Sequence, residues 1–458
     1  MKVAMVVSEM EPFVKTGGLG DVAGALPLAL GRLGVEMHLF LPRYALVKEK
    51  KLEVKLSSAV TVHFVDHPEY YRRGGLYGGQ DGDYPDNLER FSFFCRQVFS
   101  LIRAARFQPD VLHAHDWQAA LSVVYLANLF REDPVFSRVG SVFTVHNLAY
   151  QGLFLKEQFP KLGLPWSLFG INGLEFYDRI NLLKGGLLFA GAVSTVSPTY
   201  AKEIQTREQG EGLEGVLQMR SKDLTGILNG IDQQVWDPRT DPAISQTFDP
   251  QQLNAKQKNK AALQKEMGLP ADPDAFLIGM VTRLASQKGI DLVVQALPKL
   301  TRLGVQIAVL GSGDRPIEQS LSAAARKSGG LKLRLDFDNQ LARRIYAGSD
   351  AFLMPSRYEP CGLGQMIAMR YGTPPIVRRT GGLADTVSEF RPSSRTGNGF
   401  CFESAVPQQL IDAVNRALSV YRQPSLWQQV QRRGMETDFS WDRSAKEYLH
   451  LYEQVCRR

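Results

Sequence analysis

The sequence of 458 residues is poor in cysteine, and none of its cysteines has the spacing of a metal centre. Its four cysteines form no CxxC pair and no Cys/His ligand pattern: Cys95, Cys361, Cys401 and Cys456. So few cysteines in a chain of this length exclude a disulfide-rich secreted scaffold. The same usage argues against a structural zinc and favours a reducing compartment.

Long hydrophobic runs are also missing. No apolar stretch approaches the roughly 20 residues that span a bilayer. The first residues, MKVAMVVSE, enter a predicted strand without a basic leader or an apolar signal core. We therefore expect a cytoplasmic protein that has no membrane partner.

The positive charge is not concentrated in any one segment. The formal net charge is +7, but Lys and Arg are spread along the whole chain instead of forming a stripe. Proteins that bind nucleic acid usually carry such a stripe, so no nucleic-acid partner is expected. A diffuse positive surface suits a small anionic substrate such as a nucleotide sugar.

Strand-like apolar runs alternate with helical segments in both halves of the chain, which predicts an α/β fold with parallel sheets. Strands are predicted at Lys2–Ser8, Val35–Leu41, Asp110–His115, Ser141–Val145, Ala192–Ser197, Thr225–Leu228, Phe276–Val281, Val305–Leu310, Leu331–Phe337, Ala351–Met354 and Pro375–Val377. The periodicity fades between Trp236 and Gln257, which marks a crossover between domains. The pattern predicts two Rossmann-like, doubly wound domains that face a cleft, at residues 1–243 and 244–437. A final helix within residues 438–458 is expected to pack back on the first domain.

A turn-rich segment in the second half, residues 356–364, precedes a helix start. Such a start offers free backbone N–H groups and the positive end of a dipole, which suit a phosphate. Glu359 lies just ahead of it, and a carboxylate would repel that phosphate, so cations are needed nearby. Arg283 and Lys288 follow another strand and can supply them. The pattern predicts a sugar phosphate at these strand ends, with Glu359 on sugar hydroxyls and both cations on the leaving phosphate.

A second glycine-rich turn, KTGGLGD, follows the first strand at residues 15–21. Consecutive glycines let the backbone approach a ligand closely, and Lys15 can then reach a phosphate or a sugar. The spacing matches neither GxGxxG nor the P-loop, so neither a nicotinamide site nor a Walker ATPase is supported. A tight turn that merely needs small residues remains an alternative.

Polar side chains follow three further predicted strands of the first half. Asp116, His146 and Asn229 each come directly after one, where doubly wound folds bind ligands. Alternatives remain open, since Asn229 would also suit a turn cap and His146 a satisfied core position. Three histidines invite a metal-site interpretation, which we do not favour because they lack carboxylate partners at ligand spacing: His113, His115 and His146.

Taken together, these segments resemble those of bacterial glycogen synthases and plant starch synthases. Seven motifs occur in the family's order: KTGGLGDV, HAHDW, TVHNLAYQG, ILNGID, RLASQKGID, PSRYEPCGL and RYGTPPIVRRTGGLADTV. The form PSRYEPCG followed by QMIAMRYG is most similar to cyanobacterial members. The resemblance implies a retaining glucosyltransferase of the GT-B fold. Such an enzyme transfers glucose from ADP-glucose to the non-reducing end of an α-1,4-glucan such as glycogen.

The resemblance also implies roles for residues of the first half. Lys15 would contact the donor, and Gly18 and Asp21 would shape the loop beside it. His146 would approach the reacting carbon of the glucose. Sugar hydroxyls would be contacted by Asp116 and Asn229, and Tyr84 falls near a family tyrosine in the donor loop, although an ordinary loop tyrosine is an equal alternative.

In the second half, Arg283 and Lys288 would bind the diphosphate, and Glu359 would hold glucose hydroxyls. Phe337 falls where the family carries an aromatic that stacks on adenine, although stacking alone would accept several bases. Backbone groups facing phosphate would come from Cys361, Gly362, Leu363, Gly381 and Gly382. No metal is implied, because Arg283 and Lys288 would neutralise the leaving group, and pyridoxal phosphate would be needed only by a phosphorylase.

One departure from the family pattern follows the CGL motif, where Gly364 replaces the usual Thr or Ser. The lost hydroxyl would cost at most one hydrogen bond to a charged group, worth about 1.5–3 kcal/mol.

Two rival functions stay open. One is a glucan phosphorylase or a sucrose-type transferase of the same architecture, and the other is a glucan-binding or priming protein with weak elongation activity.

Overall fold

The computed structural model describes residues 1–79 and 82–457. The chain divides into two compact units, of which the first comprises Met1–Gly230 with Trp441–Arg458 and the second Ile231–Ser440. The segment after Ile231 is tied to the second unit by polar contacts. The Arg343 guanidinium bonds the Val235 carbonyl at 2.7 Å and the Asp241 carboxylate at 3.0 Å.

The first unit is built on a large sheet with helices on both faces. Its strands are β1 (Lys2–Val6), β2 (Glu36–Pro42), β3 (Glu53–Lys55), β4 (Val60–Val65), β5 (Gly78–Gly79), β6 (Gly82–Asp83), β7 (Val111–His115), β8 (Gly140–Val145), β9 (Leu153–Leu155), β10 (Glu175–Phe176), β11 (Arg179–Asn181), β12 (Ala192–Thr195) and β13 (Leu224–Gly226). Its helices are α1 (Gly18–Arg32), α2 (Pro68–Tyr71), α3 (Asn87–Ala104), α4 (Asp116–Asn128), α5 (Leu182–Phe189), α6 (Pro198–Glu203), α7 (Glu214–Met219) and α16 (Trp441–Cys456), with 3-10 turns at Lys156–Leu162 and Trp166–Leu168.

Eight of these strands form one sheet in the order β13-β12-β8-β7-β1-β2-β4-β3, and only β3 runs antiparallel to its neighbour. Strands β9, β10 and β11 form a small antiparallel sheet, and β5 pairs with β6. Helix α16 packs on α1 and on strands β7 and β8, and the Ser444 hydroxyl donates to the Leu228 carbonyl at 2.6 Å. The chain leaves β1 towards β2 and later returns on the other side at β7. The crevice at the carboxyl ends of β1 and β7 is therefore the switch point at which doubly wound sheets bind ligands.

The second unit has an entirely parallel sheet in the order β16-β15-β14-β17-β18-β19. The strands are β14 (Phe276–Val281), β15 (Val305–Leu310), β16 (Leu331–Arg334), β17 (Ala351–Met354), β18 (Pro375–Arg378) and β19 (Phe400–Phe402). The helices are α8 (Lys256–Met267), α9 (Ile290–Arg302), α10 (Arg315–Lys327), α11 (Asn339–Gly348), α12 (Gly364–Arg370), α13 (Gly381–Thr386), α14 (Pro407–Tyr421) and α15 (Pro424–Glu436), with 3-10 turns at Leu253–Ala255 and Ser286–Lys288. Here the switch point lies between β14 and β17.

Three elements differ from the sequence-based expectations. Helix α1 begins at Gly18, so Gly18 and Asp21 lie in its first turn rather than in the loop. Strand β16 ends at Arg334, which leaves Phe337 in the connection to α11. The Asp338 carboxylate caps α11 by accepting from two amides at 2.8 and 2.9 Å, which fixes the start of that helix. Helix α8 lies partly inside the segment interpreted as an irregular crossover.

Among residues 1–79 and 82–457, no helix combines the length and the apolar character that crossing a membrane requires.

Candidate active site

A buried carboxylate anchors the glycine-rich turn of the first unit. Glu9, just beyond β1, accepts hydrogen bonds from the Thr16 amide at 2.5 Å, the Thr16 hydroxyl at 2.6 Å and the Gly17 amide at 3.0 Å. The Tyr77 hydroxyl donates to it at 2.7 Å. Glu9 thus fixes the backbone directly after Lys15. The sequence pattern did not identify Glu9, although its place after the strand at the switch point was an available signal.

Lys15 is held at the protein surface by two carboxylates. Its Nζ lies 2.6 Å from Oδ1 of Asp21 and 3.8 Å from Oε1 of Glu11. Burial raises the pKa of Asp21, and the nearby ammonium of Lys15 opposes that shift. A Cβ at Gly18 would have no heavy atom within 4 Å, so open space lies beside the first turn of α1. The ammonium is therefore ordered and remains about one-third exposed, which leaves it accessible to a ligand.

Three histidines pack in a row along the ends of β7 and β8. The His113 and His115 rings lie 4.0 Å apart, and Nδ1 of His115 lies 2.9 Å from Nε2 of His146. Both nitrogens of His113 are engaged, one with the Tyr452 hydroxyl at 2.7 Å and the other with the Thr144 hydroxyl at 2.6 Å. Burial lowers the pKa of His113 and of His146 to about 3, and that of His115 well below its usual value. The three rings are neutral at physiological pH, and the engaged nitrogens of His113 do not suit a metal ligand.

The carboxyl of Asp116 supports the backbone of the His146 loop. Its Oδ1 accepts from the His146 amide at 2.7 Å, and Asp116 itself adopts a left-handed backbone with φ 57°. Burial raises the pKa of Asp116 to about 7, and the Glu9 carboxylate adds to that shift. The amides of His146 and Asn147 act in the opposite direction because they stabilise the ionised form. Asp116 and His146 therefore belong to one local structure.

Asn229 and Tyr84 differ in their availability to a ligand. Asn229 is buried, and its Oδ1 has no hydrogen-bond partner within the described ranges 1–79 and 82–457. By contrast, the guanidinium groups of Arg73 and Arg90 lie 5.0 and 4.9 Å from the Tyr84 ring centroid. The Tyr84 hydroxyl accepts from the Gly75 amide at 3.1 Å. Asn229 thus offers a free acceptor, whereas the Tyr84 ring already packs against two cations.

The second unit places Glu359 beside a cation. Nζ of Lys288 lies 2.6 Å from Oε2 of Glu359, and the Ser356 hydroxyl donates to the same oxygen at 2.8 Å. Both charged side chains are largely buried, with 15% of Lys288 and 8% of Glu359 exposed. The pair joins the carboxyl ends of β14 and β17. It offsets the negative charge that would otherwise repel a phosphate here.

The turn before α12 presents backbone amides. The Gln365 side chain donates to the carbonyls of Cys361 at 3.1 Å and Gly362 at 2.9 Å, so both carbonyls are directed towards Gln365. Gly362 has φ 72°, a conformation that glycine adopts without strain. Within residues 1–79 and 82–457, the amides of Gly362, Leu363 and Gly364 donate to no acceptor. Three successive free amides form a set of donors that suits an anion.

The glycine pair at the start of α13 packs against the Glu359 segment. The Gly382 amide donates to the carbonyls of Glu359 at 3.1 Å and Pro360 at 3.2 Å. A Cβ at Gly381, where φ is 43°, would lie 2.0 Å from the Glu359 carbonyl oxygen, and one at Gly382 would lie 2.1 Å from that of Cys361. No larger residue fits at either position. The pair therefore positions the phosphate-facing turn by close backbone contact, and the Gly382 amide is already engaged.

Arg283 and Phe337 are both exposed. Within the described ranges the Arg283 guanidinium, just beyond β14, forms no hydrogen bond or ion pair. Phe337 is 79% exposed, between β16 and α11. Both side chains can reach a ligand without breaking an existing contact.

Comparison with known proteins identifies the family. A model described as the starch synthase catalytic domain matches residues 2–219, and one described as glycosyl transferases group 1 matches residues 264–432. Glycogen synthase from Syntrophotalea carbinolica is 46% identical to the chain over an alignment of 478 positions, which covers 99% of both proteins. Glycogen synthase from Anaeromyxobacter dehalogenans is 48% identical, with full coverage of both. The chain belongs to the glycogen synthase family.

Solved structures agree with this assignment. The catalytic domain of starch synthase IV from Arabidopsis thaliana, bound to ADP and acarbose, superposes with a TM-score of 0.90 at 35% identity, covering 100% of this chain and 99% of that one. Sucrose-phosphate synthase from Thermosynechococcus elongatus shares the fold, with a TM-score of 0.65 at 18% identity and coverage of 99% and 98%. These matches confirm the predicted family, the GT-B fold and the glycosyltransferase class. This glycogen synthase family member uses a nucleotide-sugar donor and a glucan acceptor, and an enzyme is favoured over a glucan-binding or priming protein.

Proposed function

We propose that this member of the glycogen synthase family transfers glucose from ADP-glucose to the non-reducing end of an α-1,4-glucan, with retention of configuration and release of ADP. The observation that carries the proposal is the donor set of the second unit. Three free amides, Gly362 to Gly364, lie in the turn beside Glu359, and Lys288 pairs with that carboxylate. The related plant structure contains ADP, which supports the same nucleotide here.

The diphosphate would be bound by Arg283, Lys288 and these amides. Each hydrogen bond to a charged oxygen is worth about 1.5–3 kcal/mol, and preorganised donors act most strongly on the charge that develops as ADP leaves. The two cations would stabilise the leaving group without a metal ion. We therefore expect transfer to continue in the presence of EDTA, and a requirement for Mg²⁺ would overturn this part of the proposal.

As the family resemblance implies, Glu359 would hold glucose hydroxyls, Asp116 and Asn229 would contact sugar hydroxyls, and His146 would approach the reacting carbon. Each of the carboxyl groups already has a supporting contact, Glu359 with Lys288 and Asp116 with the His146 amide. We propose attack by the acceptor from the leaving-group face, because neither carboxylate is left free as a nucleophile. Isolation of a glucosyl-enzyme on any carboxylate would exclude this route.

Further parts of the proposal concern the donor's other groups and the cell compartment. Lys15 would contact the donor, and the exposed Phe337 ring would stack on the adenine. Because stacking accepts several bases, a preference for ADP over UDP rests on the likeness to the ADP-bound relative.

We place the enzyme in the cytoplasm, and fractionation of cells that express it would test that location.

The decisive experiment measures glucose transfer to glycogen from ADP-glucose and, in parallel, from UDP-glucose. Two variants accompany the parent protein: Glu359→Ala, and the matched control Glu266→Ala, which removes a second-unit carboxylate paired with Arg344 at 2.7 Å. We expect transfer from ADP-glucose by the parent and by Glu266→Ala, and its loss in Glu359→Ala. Glycogen binding without transfer from either donor would favour the priming alternative, and transfer from UDP-glucose alone would reject the proposed donor.

A further inference from the structure

The side chain of His146 has a buried histidine partner whose second nitrogen is unused. Nδ1 of His115 lies 2.9 Å from Nε2 of His146. Nε2 of His115 is buried and has no hydrogen-bond partner in the part of the chain that the structure describes. Since both rings are neutral, a single hydrogen lies between the two facing nitrogens.

The unused nitrogen decides which ring donates. If Nε2 of His146 carried the hydrogen, His115 would have to carry its own on Nε2, and a buried N–H group would lack an acceptor. Unsatisfied buried N–H groups are rarer than unsatisfied acceptors, and leaving a buried donor unpaired is costly. His115 therefore carries its hydrogen on Nδ1 and donates to Nε2 of His146. The hydrogen of His146 must then be on Nδ1.

We propose that His115 is a positioning residue that fixes His146 in the Nδ1–H form and directs that N–H group towards a neutral oxygen of the glucosyl donor. The proposal rests on the proposed function, because it takes His146 to contact the sugar. It assigns His146 the role of a hydrogen-bond donor, and it excludes His146 as a general base.

The surroundings of His115 prevent its ring from turning away. The His113 ring packs against it at a tilt, with the ring centroids 4.0 Å apart, and is itself held by hydroxyl groups of Tyr452 and Thr144. The backbone of His146 is fixed separately, through the 2.7 Å bond from its amide to Asp116. His146 is thus constrained at its backbone by one residue and at its ring by another.

The same sheet contains a matched histidine pair on strands that the proposed site does not use. Nε2 of His63 on β4 lies 2.8 Å from Nδ1 of His38 on β2, and burial lowers the pKa of His63 to about 4. Breaking this pair by His63→Phe imposes a similar loss on the fold and leaves the His146 contact intact. It is therefore the control for His115→Phe, which keeps a ring at position 115 and deletes the donor.

Steady-state kinetics separate positioning from folding. We expect His115→Phe to lower kcat at least about tenfold, because a misplaced catalytic group is costly, and His63→Phe to stay within about twofold of the parent. His115→Asn supplies an amide donor near the position of Nδ1 and should recover part of kcat. Equal losses in His115→Phe and His63→Phe, or no recovery in His115→Asn, would overturn the proposal.

A measurement without substrate checks the tautomer itself. The chain has seven histidines, and nitrogen NMR of ¹⁵N-histidine-labelled protein distinguishes protonated from bare ring nitrogens. The His146 signals are assigned with His146→Gln. We expect its hydrogen on Nδ1 in the parent and a mixture of tautomers in His115→Phe, whereas a hydrogen on Nε2 in the parent would contradict the proposal.

If His146→Gln keeps full activity, the proposed function fails at His146. If His115→Phe keeps full activity while His146→Gln loses it, the proposed function stands and the positioning role of His115 fails.

Discussion

The two units present opposite kinds of chemistry at the same topological position. At the switch point of the first unit, the neutral rings of His115 and His146 lie 2.9 Å apart, and burial raises the pKa of the Asp116 carboxyl to about 7. At the switch point of the second unit, Lys288 and Glu359 are charged, and the amides of Gly362 to Gly364 donate to no described acceptor. The shared sheet topology therefore does not specify which chemical groups lie at a switch point.

The difference parallels the two kinds of polar group in a nucleotide sugar, hydroxyls and phosphates. Neutral acceptors and donors in an enclosed setting suit sugar hydroxyls, whose hydrogen bonds carry no net charge. Cations and free amides suit phosphate oxygens. The predictions below alter the charged site first, then the site of the first unit, and finally the one position at which this chain departs from its family.

Replacing Lys288 by methionine should have the largest effect. The substitution keeps the length of the side chain, removes a proposed diphosphate contact and leaves the buried Glu359 carboxylate without its ammonium partner. We expect kcat to fall by about 10²–10³, the range for loss of one preorganised charge-stabilising donor. The free energy of unfolding should fall by about 3 kcal/mol, because breaking a buried ion pair strands a charge. Transfer assays and urea denaturation measure the two effects.

Arg357→Gln provides the contrast for that substitution. Arg357 forms a two-pronged ion pair with Asp291, at 2.8 Å for each bond, and both side chains are exposed. Exposed pairs contribute about 1 kcal/mol or less, so stability and kcat should change little. A loss of kcat in Arg357→Gln as large as that in Lys288→Met would show that the charged site is not specific to Lys288.

Asp116→Asn tests the site of the first unit through its pH dependence. Burial raises the pKa of Asp116 to about 7, and the ionised carboxylate is the stronger acceptor for a sugar hydroxyl. We therefore expect kcat/KM of the parent to rise as the pH increases through about 7. In Asp116→Asn this ionisation should disappear from the profile. A step near pH 7 that persists in the variant would assign it to another group.

The same shift predicts a change in stability of defined sign. The folded protein holds the Asp116 proton more tightly than the unfolded chain does. The resulting contribution is complete below the ordinary carboxyl pKa of 3.8 and is lost as the pH rises through about 7. Asp116→Asn should therefore flatten the decline in unfolding free energy between these two values. Glu9→Gln, which removes the neighbouring carboxylate that adds to this shift, should retain a smaller decline, because the burial of Asp116 remains.

Much of the fold was predictable because its strands are buried on both faces. Such strands form continuous apolar runs, and β14, β15 and β17 have the predicted bounds. Helix α8 was missed for the opposite reason. Its buried positions include Lys256, Asn259, Lys260 and Gln264, so it lacks apolar periodicity. The Lys256 ammonium is instead satisfied by two carbonyls and a hydroxyl at 2.7–2.9 Å, and those partners lie about 90 to 120 positions further along the chain.

Prediction of the candidate site has the same limit, because contacts between side chains far apart in the sequence leave no pattern along the chain. Residues that follow strands at a switch point, such as Lys288 and Glu359, were predictable from topology, and the structure brings them within 2.6 Å. Residues that act through others were not. Glu9 supports the Lys15 turn and His115 supports His146, and each does so through side-chain geometry that spacing along the chain does not specify.

Gly364→Ser should have the smallest effect. A Cβ at Gly364 would lie 3.2 Å from Phe352 Cε1, 3.4 Å from the Tyr346 hydroxyl and 3.5 Å from Met354 Sδ. This crowding costs about 1 kcal/mol, and a similar gain in helix propensity offsets it, so Gly364→Ala should be nearly neutral in thermal unfolding. Comparing Ser with Ala then isolates the hydroxyl. We expect less than about a tenfold decrease in KM for ADP-glucose, because the hydroxyl adds one bond to a set of amides already present and the nearby Tyr346 hydroxyl competes for it.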